Sequence, residues 1–453
     1  AISFGLRDFK RDGRRLAING RTVFLRGRLD CANYPLTGYP PMDKDGWLRV
    51  LGILKEWGLN HVRFHSWCPP EAAFVAADEL GMYFQVELPN KRSAFKAPES
   101  TDAPKRNIDY LDVPGSDPNA SLYDYALREG ELIFRHFGNH PSFVMFTLGN
   151  ELGRNPAMFE LVARFQKRDS RHLYAQGANN MHWQPSYAEG DDFWVTGKTG
   201  KTLPVRGAFF PGDYPGGGHI YSDPPTALVD YYGSIKDVPV PVIGHEVGQY
   251  EVAPDFREIP HYTGVLKARN LEVFRDRLKA ANMLDLSGDF VRASGALSAI
   301  CYREDIETAL RTPGFGGFQL LDLQDFPGQG TALVGMLNVF MESKGIIEPG
   351  AWRQFCCETG PLLRMEKYTW TTAETFKGRV QIAHSGAADI PDTQVRGTVT
   401  DSKGGHLARV AFPTITLKQG SSPRSANTRF RWLLLPRLKN SRSPLPSMEP
   451  PIL

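Results

Sequence analysis

The sequence predicts an α/β chain, a (β/α)8 TIM barrel followed by a small, incomplete β-sandwich module. Three observations predict it. Short apolar runs alternate with amphipathic segments to about residue 355, the pattern of parallel strands joined by crossover helices. Polar residues gather just past one end of those runs, where a barrel builds its site. Beyond about residue 360 the pattern changes to short strand-like runs separated by turn residues. An open doubly wound sheet is the alternative to the barrel, but no glycine-rich phosphate loop follows the first strand.

The elements are expected in the following order. Thr22–Leu25 starts the first strand, with Arg26–Tyr34 as its exit. Asp43–Trp57 is a helix with Trp47, Val50, Leu51 and Leu54 on one face. Asn60–Phe64 is the second strand, and Pro70–Leu80 is a helix that tolerates proline in its first turn. Met82–Leu88 and Ser142–Leu148 are strands, with a helix over Leu122–Phe137 between them. Ala157–Arg168 is a helix and His172–Gln176 the fifth strand. Phe193–Thr196, Gly207–Phe210 and Gly218–Tyr221 compete for the sixth. Pro241–Gly244 is the seventh, followed by a largely helical insertion over about 250–312. Gly317–Leu323 is the eighth, and Val339–Phe355 carries a last helix. This divides the chain into a barrel over 1–358, a β-sandwich-like module over 359–421 and an irregular basic, proline-rich tail over 422–453. Lys367–Phe376, Gly378–His384, Gln394–Thr400 and Arg409–Leu417 are the strands expected in the module.

The totals exclude several function classes. The formal net charge is +3, but residues 422–453 hold six Lys/Arg and one Glu, so the remainder is near neutral. That balance offers nothing to nucleic acid. No run of about 18 apolar residues is present to cross a membrane as a helix. The five cysteines are scattered, without a CxxC pair, and no His/Cys/Asp/Glu spacing fits a metal, so neither metal nor cofactor is expected. No serine sits in a nucleophile-elbow motif. The compartment stays open, with a periplasmic or secreted location slightly favoured.

Reading the strand ends yields a candidate site. They offer Arg28, Asp30 and Asn33; Arg63, His65 and Trp67; Glu87; Asn150 and Glu151; Gln176 and Asn179; His245 and Glu246; and Gln319, Asp322, Gln324 and Asp325. Two glutamates stand out, Glu151 after the buried run Phe143–Leu148 and Glu246 after Pro241–Gly244. Cleaving a glycosidic bond takes two carboxyl groups, one to protonate the leaving oxygen and one to attack the anomeric carbon or activate water. A glutamate after a strand is commonly only a charge at a helix N-terminus; the pairing on two strands of one barrel is what makes these two catalytic candidates. Trp67, Trp183 and Trp194 could stack on sugar faces or simply fill the core.

Several motifs resemble glycoside hydrolase family 2. Phe4-Gly-Leu-Arg7, Leu16-Ala-Ile-Asn-Gly20 and Val23-Phe-Leu-Arg-Gly27 look like the entry to its catalytic barrel. Gly58-Leu-Asn-His-Val-Arg-Phe-His65, then Ala77-Asp-Glu-Leu-Gly81 with Glu87, resemble its second and third units. Asn139-His-Pro-Ser142 leading to Gly149-Asn-Glu151 is the most specific match. The resemblance implies Glu151 as acid/base, Glu246 as nucleophile and Asn150 on the sugar 2-hydroxyl. Arg63, His65, Trp67, Asp30, Glu87, His245 and Gln324 are the further substrate-binding candidates. The chain departs from the family pattern in three places. Family members usually carry a jelly-roll and a sandwich ahead of the barrel, and this chain begins almost at the barrel. Gly317-Phe-Gln-Leu-Leu-Asp-Leu-Gln-Asp325 stands where a tryptophan often ends the eighth strand. The Asn-x-Lys motif of glucuronic-acid recognition is not evident, since Asn90-Lys91 lacks the spacer.

The implied activity is a retaining exo-β-glycosidase, β-galactosidase first, with β-glucuronidase and β-mannosidase as alternatives within the family. The insertion after the seventh strand would narrow the pocket and favour exo action. A non-catalytic carbohydrate-binding relative is the alternative outside enzymes. The expected partner is a carbohydrate, with a homo-oligomer allowed and neither nucleic acid nor membrane.

Overall fold

The structure is a computed structural model that describes residues 4–89, 118–154, 156–181, 184–200, 202–208, 217–371, 373–422 and 433–435. A three-stranded antiparallel meander comes first: β1 (Phe9–Asp12), β2 (Arg15–Ile18) and β3 (Arg21–Val23). Phe9, Leu16 and Val23 pack under the barrel against Val144, Leu173, Val195 and Ile243, so the meander plugs its N-terminal end. The expected first strand is therefore corrected. Residues 21–23 belong to the plug, and the barrel strand is β4 (Leu25–Asp30), all six residues buried.

Helix α1 (Lys44–Glu56) begins at Asp43, whose carboxylate accepts from Gly46 N at 2.8 Å, and buries the expected face of Trp47, Val50, Leu51 and Leu54. Then follow β5 (His61–Phe64), α2 (Glu71–Leu80), β6 (Tyr83–Glu87), α3 (Pro118–Phe137), β7 (Phe143–Thr147), α4 (Pro156–Arg168) and β8 (Leu173–Ala175). Phe134 of α3 lies against Phe143, Phe146, Phe165 and Tyr174, fastening two helices to two strands. The three-way competition for the sixth strand resolves to β9 (Trp194–Thr196). Residues 209 and 210, in one losing segment, lie outside the described residues; the other, 218–221, forms most of the short helix α5 (His219–Ser222). After α6 (Tyr232–Ile235) come β10 (Val242–Gly248), α7 (Arg269–Ala280), α8 (Ser287–Arg311), β11 (Phe315–Leu321) and α9 (Pro349–Trp352).

The eight parallel strands hydrogen-bond in the order β8-β7-β6-β5-β4-β11-β10-β9. Between β8 and β9 no ladder forms; Asp192 N donates to Tyr174 O (2.8 Å) and Asn179 N to Val195 O (2.8 Å) across that seam. The Asp191 and Asp192 carboxylates accept from Gln176 N (3.1 Å) and Tyr174 N (3.0 Å). Side chains thus do part of the work of a ladder. At the β4–β11 contact, Gly317 has φ +148° and a Cβ there would stand 2.2 Å from Leu25 O, so only glycine fits.

Two expectations about the second half are revised. The helix α8 packs on β10 and β11 as an ordinary crossover helix, so the segment read as one insertion over 250–312 divides near residue 286. The last helix, expected within 339–355, is there but is only a single turn, α9.

The C-terminal region forms three small antiparallel sheets. The first pairs β12 (Thr359–Met365) and β13 (Phe376–His384). Then come β14 (Ile390–Thr393), β15 (Arg396–Thr400), β16 (His406–Ala411), β17 (Ile415–Leu417) and β18 (Leu433–Leu435). β14 pairs with β17, β15 with β16, and β18 with β13. Residues 367–376, expected as a strand, mostly connect β12 to β13, while 359–365 form a strand that was not expected. β18 falls in the stretch read as an irregular tail; 423–432 and 436–453 lie outside the described residues. Ile382, Phe412 and Leu417 make a small core, and Gln419 clasps Thr22 of the plug (2.7 and 3.2 Å). Among the described residues no helix is long and apolar enough to cross a membrane.

Candidate active site

The backbone makes the site before the side chains do. Past the end of β7, Asn150 bridges to Ala178, and Glu151 N donates to Ala178 O at 2.7 Å. Glu151 then turns to φ 51°, left-handed for a residue with a Cβ. Glu246 has φ 49° inside β10, where the register with β11 slips between Gly244 and Val247. A bulge of this kind re-aims one side chain out of the alternating pattern. The displaced carbonyls of His245 and Glu246 both accept from Arg206 Nη1, at 3.3 and 3.2 Å.

Around Glu246 the side chains form one connected network. Arg63 of β5 is fully buried; its Nε donates to Glu87 Oε1 (2.6 Å), its Nη2 to Asn150 Oδ1 (2.6 Å), and its Nη1 lies 3.9 Å from Glu246 Oε1. His245 Nε2 is 3.0 Å from Asn150 Oδ1 and 3.3 Å from Glu246 Oε1, so its proton lies between two acceptors. Asn179 Nδ2 donates to Glu151 Oε1 at 3.4 Å, while its own oxygen is held by Gly197 N at 3.0 Å. Burial pushes the Glu246 carboxyl above its ordinary range; Arg63, His65 and Arg206 pull against that, and the charge of Glu151 adds to the rise. The two glutamates therefore feel each other electrostatically.

A second network lines the neighbouring wall. Arg28 meets Asp322 (3.1 Å), Asp30 (3.9 Å) and Gln324 Oε1 (2.8 Å), and Lys344 meets Asp325 at 2.6 Å, all nearly sealed from solvent. Burial pushes Asp322 up to about 7, with Arg28 opposing. The peptide bonds His65–Ser66 and Leu321–Asp322 are cis.

Of the expected residues, Asn150, Arg63, His245, Glu151 and Glu246 come together in the first network, with His65 at its edge. Three expected substrate ligands are instead committed to protein partners. Glu87 is fully enclosed and accepts from Arg63, Ser66, Gln85 and Thr147. Asp30 accepts from Ala32 N and Tyr34 Oη, and Gln324 spends its amide nitrogen on Val339 O. Trp67 sits edge-on to Phe64 with its indole N–H on Asp30 O, and Trp194 is a core residue. Trp183 lies outside the described residues. Strand-end reading missed Arg206, which comes from a stretch without periodicity. It also missed Ser66, Gln85 and Thr147; the two-residue strand period, which puts Gln85 on the same face as Glu87, could have flagged Gln85. Among the described residues no group of three or more His, Cys, Asp or Glu is placed to hold a metal ion.

A family model described as the TIM barrel domain of glycosyl hydrolases family 2 matches residues 10–184. A β-galactosidase from Arthrobacter sp. (strain B7) is 26% identical over 179 residues, 39% of this chain and 16% of that protein. Among solved structures, the exo-chitosanase CsxA of Amycolatopsis orientalis superposes with TM-score 0.58 at 14% identity, over 97% of this chain and 48% of that one. A Bifidobacterium dentium β-glucuronidase complexed with coumarin-3-O-glucuronide superposes with TM-score 0.51 at 12% identity, over 78% and 49%. The chain thus spans less than half the length of each of these relatives, and the two structural likenesses speak to fold alone. The family match begins in the plug and runs past β7 and Glu151, through the motifs and the first half of the barrel just described, so over residues 10–184 the chain is similar to the TIM barrel domain of glycosyl hydrolases family 2.

Proposed function

We propose that this barrel hydrolyses terminal β-linked sugars with retention, Glu246 acting as nucleophile and Glu151 as acid/base. Glu246 attacks the anomeric carbon while Glu151 protonates the departing oxygen; Glu151 then takes a proton from water, which releases the sugar from Glu246. The observation that carries the reading is the pair itself. One glutamate follows β7 and the other bulges from β10, each in left-handed backbone, each in the other's field. Asn150 supports it: Arg63 and His245 both donate to its oxygen, which orients the amide and keeps two N–H donors for a sugar hydroxyl.

The sugar we favour is neutral, with galactose first. On the wall by β4 and β11, the cations Arg28 and Lys344 are already matched by Asp322, Asp30 and Asp325, which leaves a uronic carboxylate no partner there. The similarity to the Arthrobacter β-galactosidase points the same way. Exo action is favoured because the segment between β10 and α8 lies at the mouth.

The test is a panel of aryl β-glycosides with wild type and Glu246→Ala, with the first-formed anomer followed by NMR. The expected result is hydrolysis of the galactoside with retention, lost by about 10⁴-fold or more in the variant. An inactive wild type, or a variant as active as wild type, would overturn the reading.

A further inference from the structure

Glu87, at the end of β6, is a carboxylate with no access to solvent. It accepts from Arg63 Nε (2.6 Å), Ser66 Oγ (2.7 Å), Thr147 Oγ1 (3.1 Å) and Gln85 Nε2 (3.3 Å). The Gln85 amide is locked from behind. Its oxygen accepts from Gln319 Nε2 at 2.8 Å, and that same nitrogen gives its other proton to His61 Nε2 at 3.0 Å. Burial holds His61 down to about 4, so the ring is neutral and its Nδ1 proton goes to Tyr83 O at 2.9 Å. From Gln319 the donors therefore run to Gln85 and on to Glu87. Burial alone would raise Glu87; Arg63 and these donors hold it below the ordinary carboxylate range.

Arg63 faces the other way as well. Its Nε and Nη2 are spent on Glu87 and Asn150, while Nη1 is buried, makes no hydrogen bond among the described residues, and lies 3.9 Å from Glu246 Oε1. One guanidinium stands between two carboxylates, tight on Glu87 and loose on Glu246. A nucleophile fully neutralised by a tight arginine pair would attack poorly, because the pair would have to break as the bond to carbon forms.

We propose that Glu87 is a positioning residue that acts through Arg63: it takes up most of the guanidinium's charge and leaves the nucleophile a fixed but loosely paired partner. This rests on the reading of Glu246 as nucleophile. The other groups facing Glu246 are His65 beyond β5, Arg206 from the segment before β10, Glu151 beyond β7, His245 beside it and Cys31 beyond β4. Of these, His65 is also coupled by charge to Glu87.

The test is an NMR titration of protein carrying carboxyl-labelled [13C]glutamate, with the Glu246 signal assigned by its absence in Glu246→Gln. Glu87→Gln keeps the shape and removes the charge, so Arg63 falls wholly to Glu246, and the midpoint of Glu246 is expected to drop by about one pH unit. Ser66→Ala removes one donor from Glu87, which then leans harder on Arg63, and a rise of about 0.2 units is expected. A merely structural Glu87 would lower stability in the first variant and leave both midpoints where they were, and that outcome overturns the proposal. So does a rise with Glu87→Gln. If Glu87→Gln does not fold, Ser66→Ala decides by itself. The titration needs no turnover, so an inactive wild type on the glycoside panel would overturn the proposed activity and leave this measurement to judge Glu87.

Discussion

Glu151 and Glu246 share left-handed backbone, with φ of 51° and 49°. That conformation costs a non-glycine residue on the order of 1 kcal/mol each, and it persists because the surroundings over-determine it: Ala178 O holds the Glu151 amide, and Arg206 holds the carbonyls of the bulge. The consequence for the proposed chemistry lies in pH. Glu246 must be ionised to attack, and burial raises its carboxyl, so activity is present above that raised value and lost as pH falls through it. The acid limb of kcat/KM is therefore expected above the ordinary glutamate value of about 4.3. A pH–rate profile on an activated galactoside checks this, and a limb at or below that value would contradict it. Glu151→Ala is expected to cost about 10²–10⁴-fold on a substrate with a poor leaving group and much less where no proton is needed. Comparing alkyl with nitrophenyl glycosides reads that difference.

At the scale of elements, local chemistry was legible wherever one residue type does one job. Asp43, expected as the first residue of the first helix, is its N-cap, bonded to Gly46 N at 2.8 Å, and the buried stripe of α1 matches its periodicity. Asp43→Ala is expected to lower stability by about 1 kcal/mol, measured by urea unfolding with an unchanged m-value. The first strand shows the limit. Thr22 and Val23 look like strand residues and are, but they pair with β2 in the plug, while β4 carries two arginines and a glycine that no strand preference favours. Those arginines are tolerated because partners elsewhere neutralise them or bond them: Asp322 for Arg28, and Gly58 O for Arg26 at 2.7 Å. α8 read as part of an insertion for a similar reason, since its role as a crossover helix depends on packing against β10 and β11.

Over the whole molecule, the near-neutral charge balance conceals buried carboxyls that resist ionisation. Glu258 and Asp191 are each pushed by burial up to about 8. A group whose folded value exceeds its unfolded one stabilises below the unfolded value, and that contribution drains away as pH rises through the folded value. Stability should thus fall between about pH 4 and pH 8 on account of these two groups. Glu258→Gln, which cannot ionise, is expected to melt on the order of 2 °C above wild type at pH 9 and level with it at pH 4. Equal melting temperatures at pH 9 would remove Glu258 from that account. The sequence by itself determined the barrel, because strand and helix periods act over a few neighbours, and it placed Glu151 and Glu246 at strand ends, because strand ends are local features too. Only the tertiary structure decided that Glu87, Asp30 and Gln324 face protein partners, that Arg206 reaches the bulge, and that Arg63 stands between Glu87 and Glu246. The physical reason is that a buried polar side chain is defined by the partner that satisfies it, and most of these partners are far off in the chain, 15 residues from Gln324 to Val339 and 296 from Arg28 to Gln324, while for Asp30 they depend on how the strand end turns.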